Sequence, residues 1–157
     1  MVICKKFKDY LDKNGVQYIT IKHPIAYTAQ KTAASLHVSG DMIAKTVMIN
    51  VDGEMIMCVC PASYKIDLSK LKVALDASEA ELVSEREFSD KFPDCEPGAM
   101  PPFGNIYGIP VYVAQSLTKD EEIIFNAGSH NEVIQMNYSD YENLVNPSVL
   151  PISVHRH

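Results

Sequence analysis

No run of apolar residues in the 157-residue chain is long enough to span a bilayer, so no transmembrane helix is expected. The opening MVICKKFKDYLDKNG sets lysines inside its apolar pattern and has no apolar h-region, which argues against a signal peptide. Both absences point to a cytoplasmic protein. The four cysteines, Cys4, Cys58, Cys60 and Cys95, form no C-x-x-C pair. There is no H-x-x-x-H spacing, no Walker loop and no dinucleotide fingerprint. The expectation is a protein without metal or cofactor, its thiols reduced and structural. No Ser-His-Asp set can be assembled by spacing either. Repeats, linkers and low-complexity blocks are also missing, which predicts one domain over residues 1–157, with a core over 2–147 and a loose tail after it.

What is present is ordinary in kind but uneven in placement. A 46% hydrophobic and 22% charged composition suits a globular fold of this length. The net charge of −6 is not spread evenly. Residues 1–80 carry ten lysines against eight Asp/Glu, a balance of +2, and residues 81–157 carry four basic against twelve acidic groups, a balance of −8. An anionic partner would therefore approach through the N-terminal half. Lys5, Lys6, Lys8 and Lys13 read equally as the solvated face of a helix, and on charge alone that plainer reading prevails.

Ile3, Phe7, Tyr10 and Leu11 fall at helical spacing, which predicts an amphipathic helix over 2–13 stopped by Asn14-Gly15. Residues 16–21 are rich in β-branched and aromatic residues and predict a strand, broken by His23-Pro24. Thr28 is placed to cap a short alanine-rich helix over 29–37. Two strands, 43–51 and 54–60, flank Asp52-Gly53, the strongest hairpin signal in the chain. Residues 63–75 read as mostly helical, and 84–92 as a short helix ending before Pro93. Strands follow at 109–114, 122–126 and 132–137, then a helix over 140–145 capped by Ser139. Helices first and strands in clusters predict an α+β fold. Its hairpins suit a small mixed, mostly antiparallel sheet curled into a β-barrel and flanked by helices.

Two segments invite chemistry. In Met42-Ile43-Ala44-Lys45-Thr46-Val47-Met48-Ile49, Lys45 is a cation at the entry of an otherwise apolar strand. Alternation puts Ile43, Lys45, Val47 and Ile49 on one face. A lysine at a strand end usually snorkels to water, which is the plainer reading. Gly128-Ser129-His130 lies between two strands, where it can present backbone N–H groups to an anion with a titratable ring beside them. The plainer reading there is a common hairpin turn. His23 is a catalytic candidate or a polar strand end, and His37 a helix C-terminal partner. Between residues 97 and 104 lies PGAMPPFG, a rigid proline- and glycine-rich stretch that still carries Met100 and Phe103.

Taken in order, His23-Pro24 with Thr28-Ala29, Ala44-Lys45-Thr46-Val47, Pro101-Pro102-Phe103-Gly104 and Asn126-Ala127-Gly128-Ser129-His130 resemble the YbaK/ProX-type aminoacyl-tRNA deacylases. That family is related to the editing domain inserted in bacterial prolyl-tRNA synthetases. The resemblance covers about residues 2–147. It implies the helix-flanked mixed barrel and a trans-editing hydrolase that releases a small amino acid, alanine or cysteine, from mischarged tRNA-Pro. The implied partners are the aminoacyl-tRNA acceptor end and prolyl-tRNA synthetase. By the same resemblance Lys45 is the functional lysine of the pocket, and Gly128, Ser129 and His130 border the scissile ester. His23, Thr28, Thr46, Met100, Pro102, Phe103 and Gly104 are carried over as substrate-binding positions. Lys45-Thr46 resembles the cysteine-clearing branch, whereas Gly128-Ser129-His130 resembles the alanine-clearing branches. The capping box is absent, since Lys31 stands where an acidic residue is expected. A site that selects by size needs an unyielding wall, because one methylene is worth only about 1–3 kcal/mol in a pocket; Met100 and Phe103 are expected to supply it. Two readings stand beside this one: a module that holds aminoacyl-tRNA or free amino acid without turnover, and an accessory protein docked on a synthetase, with editing secondary.

Overall fold

The computed structural model describes residues 5–92, 95–96 and 99–155, without the side chains at 5, 6, 85 and 89. Cys4 and the Pro97-Gly98 pair therefore lie outside the described residues. Helix α1 (Lys5–Lys13) buries Phe7 and Leu11 completely and gives way at Gly15, whose φ is +67°. Strand β1 (Tyr18–Lys22) follows, then α2 (Ala29–Leu36). The Thr28 side chain accepts the Lys31 N–H, and His37 closes the helix in the left-handed region at φ +58°.

The hairpin of β2 (Ala44–Val51) and β3 (Glu54–Pro61) falls where Asp52-Gly53 places it. Asp52 (φ +49°) and Gly53 (φ +87°) both adopt positive φ, as a tight turn matched to strand twist requires. Residues 63–75 depart from the helical expectation. Tyr64–Ile66 is strand β4, and only Leu68–Leu75 is helix (α3), because the Asp67 side chain takes the Lys70 N–H and starts the helix there. Strand β5 (Ala80–Leu82) and helix α4 (Glu85–Phe88) come next. Strand β6 (Val111–Ala114), β7 (Glu122–Asn126) and β8 (Glu132–Asn137) follow expectation closely. Helix α5 (Tyr138–Val145) begins earlier than expected. Asn137 occupies its N-cap without a side-chain bond, so Ser139 does not cap it. The tail is not loose: β9 (Ser148–Leu150) pairs with β6 and β10 (Ser153–His155) with β4.

The fold is α+β and mostly antiparallel, but it does not close into a barrel. One sheet runs β5-β2-β3-β6-β9, a second β1-β8-β7, and β10-β4 form a ribbon. Among the described residues one isolated bridge, Ile43 to Ile124, joins the two larger sheets. The sheets instead face each other across a shared core, which satisfies their inner faces without lateral closure. Ala44, Met48, Met57 and Val59 of one sheet meet Ile123, Phe125, Ile134 and Met136 of the other, with α1 and α5 sealing the ends. The outer face of the five-stranded sheet (Ile49, Ile56, Cys58, Cys60) is covered by Leu71 of α3 and by Ile152. Ala33 of α2 covers the outer face of the three-stranded sheet at Ile124 and Val133. Strands β2 and β3 are thus apolar on both faces for a reason: both faces are buried. Among the described residues no helix is long and apolar enough to cross a membrane.

Candidate active site

The start of β2, the end of β7 and the segment leading into α2 meet at a small cavity. Its volume is about 160 Å³, lined by Tyr27, Ala29, Ile43, Ala44, Lys45, Thr46, Met100 and Asn126. At roughly 30 Å³ per water, it holds on the order of five waters, the size of a small aminoacyl group. A larger groove of about 460 Å³ lies elsewhere, lined by residues that include Asp52, Lys72, Glu79 and Glu81. It is an open notch beside the hairpin turn, and its Asp52 carboxylate is engaged by the Ser78 and Glu79 amides. The smaller cavity is where the sequence candidates converge.

Lys45 is half-buried and pairs in register with Cys60 at the end of the hairpin. Its neighbour Thr46 donates its hydroxyl to the Met100 carbonyl at 3.3 Å, which ties the strand to the proline-rich loop. Met100, 5% exposed, thereby forms one wall of the cavity. Phe103 does not. It is fully buried in the main core, with its ring 4.7 Å from Phe7, 5.7 Å from Phe125 and 5.1 Å from Tyr141. Pro102 and Gly104 are likewise absent from the cavity lining. The Pro102 carbonyl accepts the Tyr141 hydroxyl at 2.7 Å, and a Cβ on Gly104 would meet the Ile109 carbonyl at 2.8 Å. These three residues pack into the core and do not line the cavity.

The Gly128-Ser129-His130 turn sits beside the cavity, with Gly128 at φ +107°. Its amides are largely engaged. Gly128 N–H donates to the Ala99 carbonyl at 2.8 Å, and His130 N–H to Glu96 Oε1 at 2.9 Å. Among the described residues no acceptor takes the Ser129 N–H. The Ser129 hydroxyl donates to Asn131 Oδ1 at 2.9 Å, and Ser129 is fully buried. The His130 ring packs on Tyr27 with centroids 4.8 Å apart, so it reaches the cavity through that residue. His23 is buried, its Nδ1 lies 2.7 Å from the Pro24 carbonyl, and it does not line the cavity. Thr28 acts on the site by capping α2, which carries Ala29 into the lining.

Three contributors escape sequence reasoning: Tyr27, Asn126 and Glu96. Asn126 faces the cavity, and its Oδ1 is buried with no hydrogen-bond partner among the described residues. Glu96 clamps the turn from both sides, its N–H on the Gly128 carbonyl at 2.7 Å and its carboxylate on His130 N–H. A carboxylate 34 residues before its partner leaves no local signal. Among the described residues no three His, Cys, Asp or Glu side chains converge as a metal-holding group.

Residues 23–144 match the aminoacyl-tRNA editing domain family, well over half of the chain and all of the site just described. The chain belongs to that family. No curated protein matches it in sequence. Solved structures match in fold. The hypothetical protein APE2540 superposes with a TM-score of 0.85 at 18% identity, over 96% of this chain and 100% of its own. A candidate trans-editing enzyme for prolyl tRNA synthetase gives 0.82 at 15% identity, over 96% of both chains. A candidate signal transduction protein from Marinobacter aquaeolei VT8 gives 0.74 at 14% identity, over 95% of this chain but 30% of that one. The editing-domain fold thus also occurs as part of a longer chain. Membership of the editing-domain family makes aminoacyl-tRNA editing the function at the family's level, and aminoacyl-tRNA the partner.

Proposed function

We propose that this editing domain is a deacylase that hydrolyses the ester of a small amino acid, alanine or cysteine, misattached to tRNA-Pro. The observation that carries it is the half-buried Lys45 at a 160 Å³ cavity walled by Met100. The ammonium supplies fixed positive charge where the carbonyl oxygen becomes an oxyanion, in a partly water-excluded place where such charge counts most. Water adds to the carbonyl carbon, with the vicinal ribose hydroxyl of the tRNA relaying its proton toward the ester oxygen that departs. The tetrahedral adduct then collapses, the C–O bond to the ribose breaks, and the departing oxygen is protonated. Free amino acid and intact tRNA result. The engaged amides of Gly128 and His130 shift the electrostatic work onto Lys45. Asn126 Oδ1 accepts the substrate's α-ammonium. The Met100 wall excludes larger side chains. Prolyl-tRNA synthetase is the partner that would generate such substrates, in the cytoplasm.

The test is a panel of alanyl-, cysteinyl-, seryl- and prolyl-tRNA incubated with the wild type and Lys45→Ala. Removing one oxyanion donor of this kind costs ~10²–10³ in rate. Wild type should release alanine or cysteine and spare prolyl-tRNA, whereas Lys45→Ala, with an unchanged circular dichroism spectrum, should lose turnover by that factor. Binding without release by the wild type would make it a holding module. A folded Lys45→Ala protein with near-normal turnover would defeat the mechanism.

A further inference from the structure

The segment over residues 23–28 is hydrogen-bonded to the Gly128–Asn131 segment and yet keeps two large apolar side chains in water. His23 N–H donates to the Asn131 carbonyl at 2.9 Å and Ala26 N–H to the His130 carbonyl at 3.0 Å. His23 and Ala26 are buried, and Thr28 then caps α2. Between and just after these pins, Ile25 is 63% exposed and Tyr27 71% exposed. Tyr27 is backed by the His130 ring at 4.8 Å and also lines the cavity that holds Lys45. An aromatic ring this exposed, backed by a second ring at a cavity, is a contact surface open to a ligand.

We propose that Tyr27, flanked by Ile25, is a stacking platform for the terminal adenine of the charged tRNA. The inference rests on the deacylase reading, which puts the amino acid in the cavity. The ester then joins it to a ribose at the mouth, and the base attached to that ribose lies one sugar ring further out, over Tyr27. A π-face recognises a base without reading its edge, and each such stack is worth roughly 5- to 150-fold in affinity. The occupant is the aminoacylated 3′ nucleoside rather than a free nucleotide, because the cavity beside the ring is filled only by the amino acid.

The experiment uses alanyl-adenosine joined through an uncleavable 3′-amide, with 2-aminopurine in place of adenine, so that stacking quenches its fluorescence. Wild type should quench and bind it. Tyr27→Ala and Tyr27→Leu should lose the quench and roughly 5- to 150-fold in affinity, whereas Tyr27→Phe and Tyr27→Trp keep both. The leucine variant preserves apolar packing on His130, so its loss reports the π-face and not the fold. An abasic analogue should bind wild type and Tyr27→Leu alike. Undiminished quenching by Tyr27→Leu overturns the proposal. So does adenosine monophosphate binding wild type as tightly as the alanyl analogue, or no quenching with wild type. A protein that releases no amino acid from any charged tRNA but quenches through Tyr27 loses the deacylase reading and keeps the platform.

Discussion

Lys45 shows how much one side chain's setting matters. Lys45→Arg is expected to fail nearly as badly as Lys45→Ala, because a planar fork cannot take the place of a compact ammonium in a 160 Å³ cavity. The rate constant of single-turnover deacylation is the measurement. Gly104 fails differently. The added Cβ of Gly104→Ala would sit 2.8 Å from the Ile109 carbonyl and 2.9 Å from Val111 Cγ2, so backbone must shift. Overpacking of this sort costs about 1–3 kcal/mol, which urea unfolding should register as a lower midpoint with the m-value unchanged. The sequence makes Lys45, Thr46 and Met100 legible because they sit in an uninterrupted motif or a punctuated loop. Phe103 misleads for a physical reason: Phe7, Phe125 and Tyr141 come from three distant elements, and no local pattern announces their ring contacts.

At the scale of elements, the hairpin, β7 and β8 are readable because their period or turn chemistry is strong. Strands β4, β5, β9 and β10 are each three residues long, too short to display a period, and exist only through their partners. Asp52 serves two elements at once. It takes positive φ in the turn, and its carboxylate accepts Glu79 N–H at 2.9 Å just before β5. Asp52→Ala should therefore cost about 0.5–1.5 kcal/mol, the range for a solvent-exposed hydrogen bond, and should raise amide exchange in β5 before it touches β3. The cap on α2 links structure to turnover. Thr28→Ala removes the acceptor for Lys31 N–H at the helix that carries Ala29 into the cavity, at about 0.5–2 kcal/mol. Thermal melts should show the loss, and deacylation should fall with it while Thr28→Ser retains both.

The whole molecule's response to pH follows from its doubly covered sheet. Cys58 is fully buried, and burial first, then the neighbouring Cys60, pushes its thiol from 9.0 up to about 12. The folded state keeps a proton that the unfolded chain gives up. Its contribution is therefore complete below pH 9 and is lost as pH rises toward about 12, by about 1.4 kcal/mol per unit. Denaturant melts from pH 8 to 11 should show this slope in wild type and a shallower one in Cys58→Ala. Charge acts at the same scale. The cavity draws Tyr27, Ala29 and Lys45 from the half whose balance is +2, so the acceptor end meets the less acidic side of a −6 protein. Affinity for charged tRNA should fall steeply with salt, and replacing Lys22 and Lys31, which flank the Tyr27–Ala29 lining segment in sequence, by Ala should flatten the slope more than replacing Lys65, Lys70 and Lys72. That asymmetry is legible from composition. Which lysines the acceptor end meets is not, because a charge balance assigns no position.

The pairing of β1 with β8 also dictates a timetable. Lys22 lies opposite Glu132, so a strand made early waits for about 110 further residues before its partner exists. At roughly 5–20 residues per second that wait is about 5–20 s, during which Ile19 and Ile21 have no sheet to join. The growing chain is therefore most exposed to misassociation long after its first helix can form. Ribosome-stalled chains cut between residues 60 and 130 should bind chaperones strongly, and release should come only once β8 has cleared the exit tunnel.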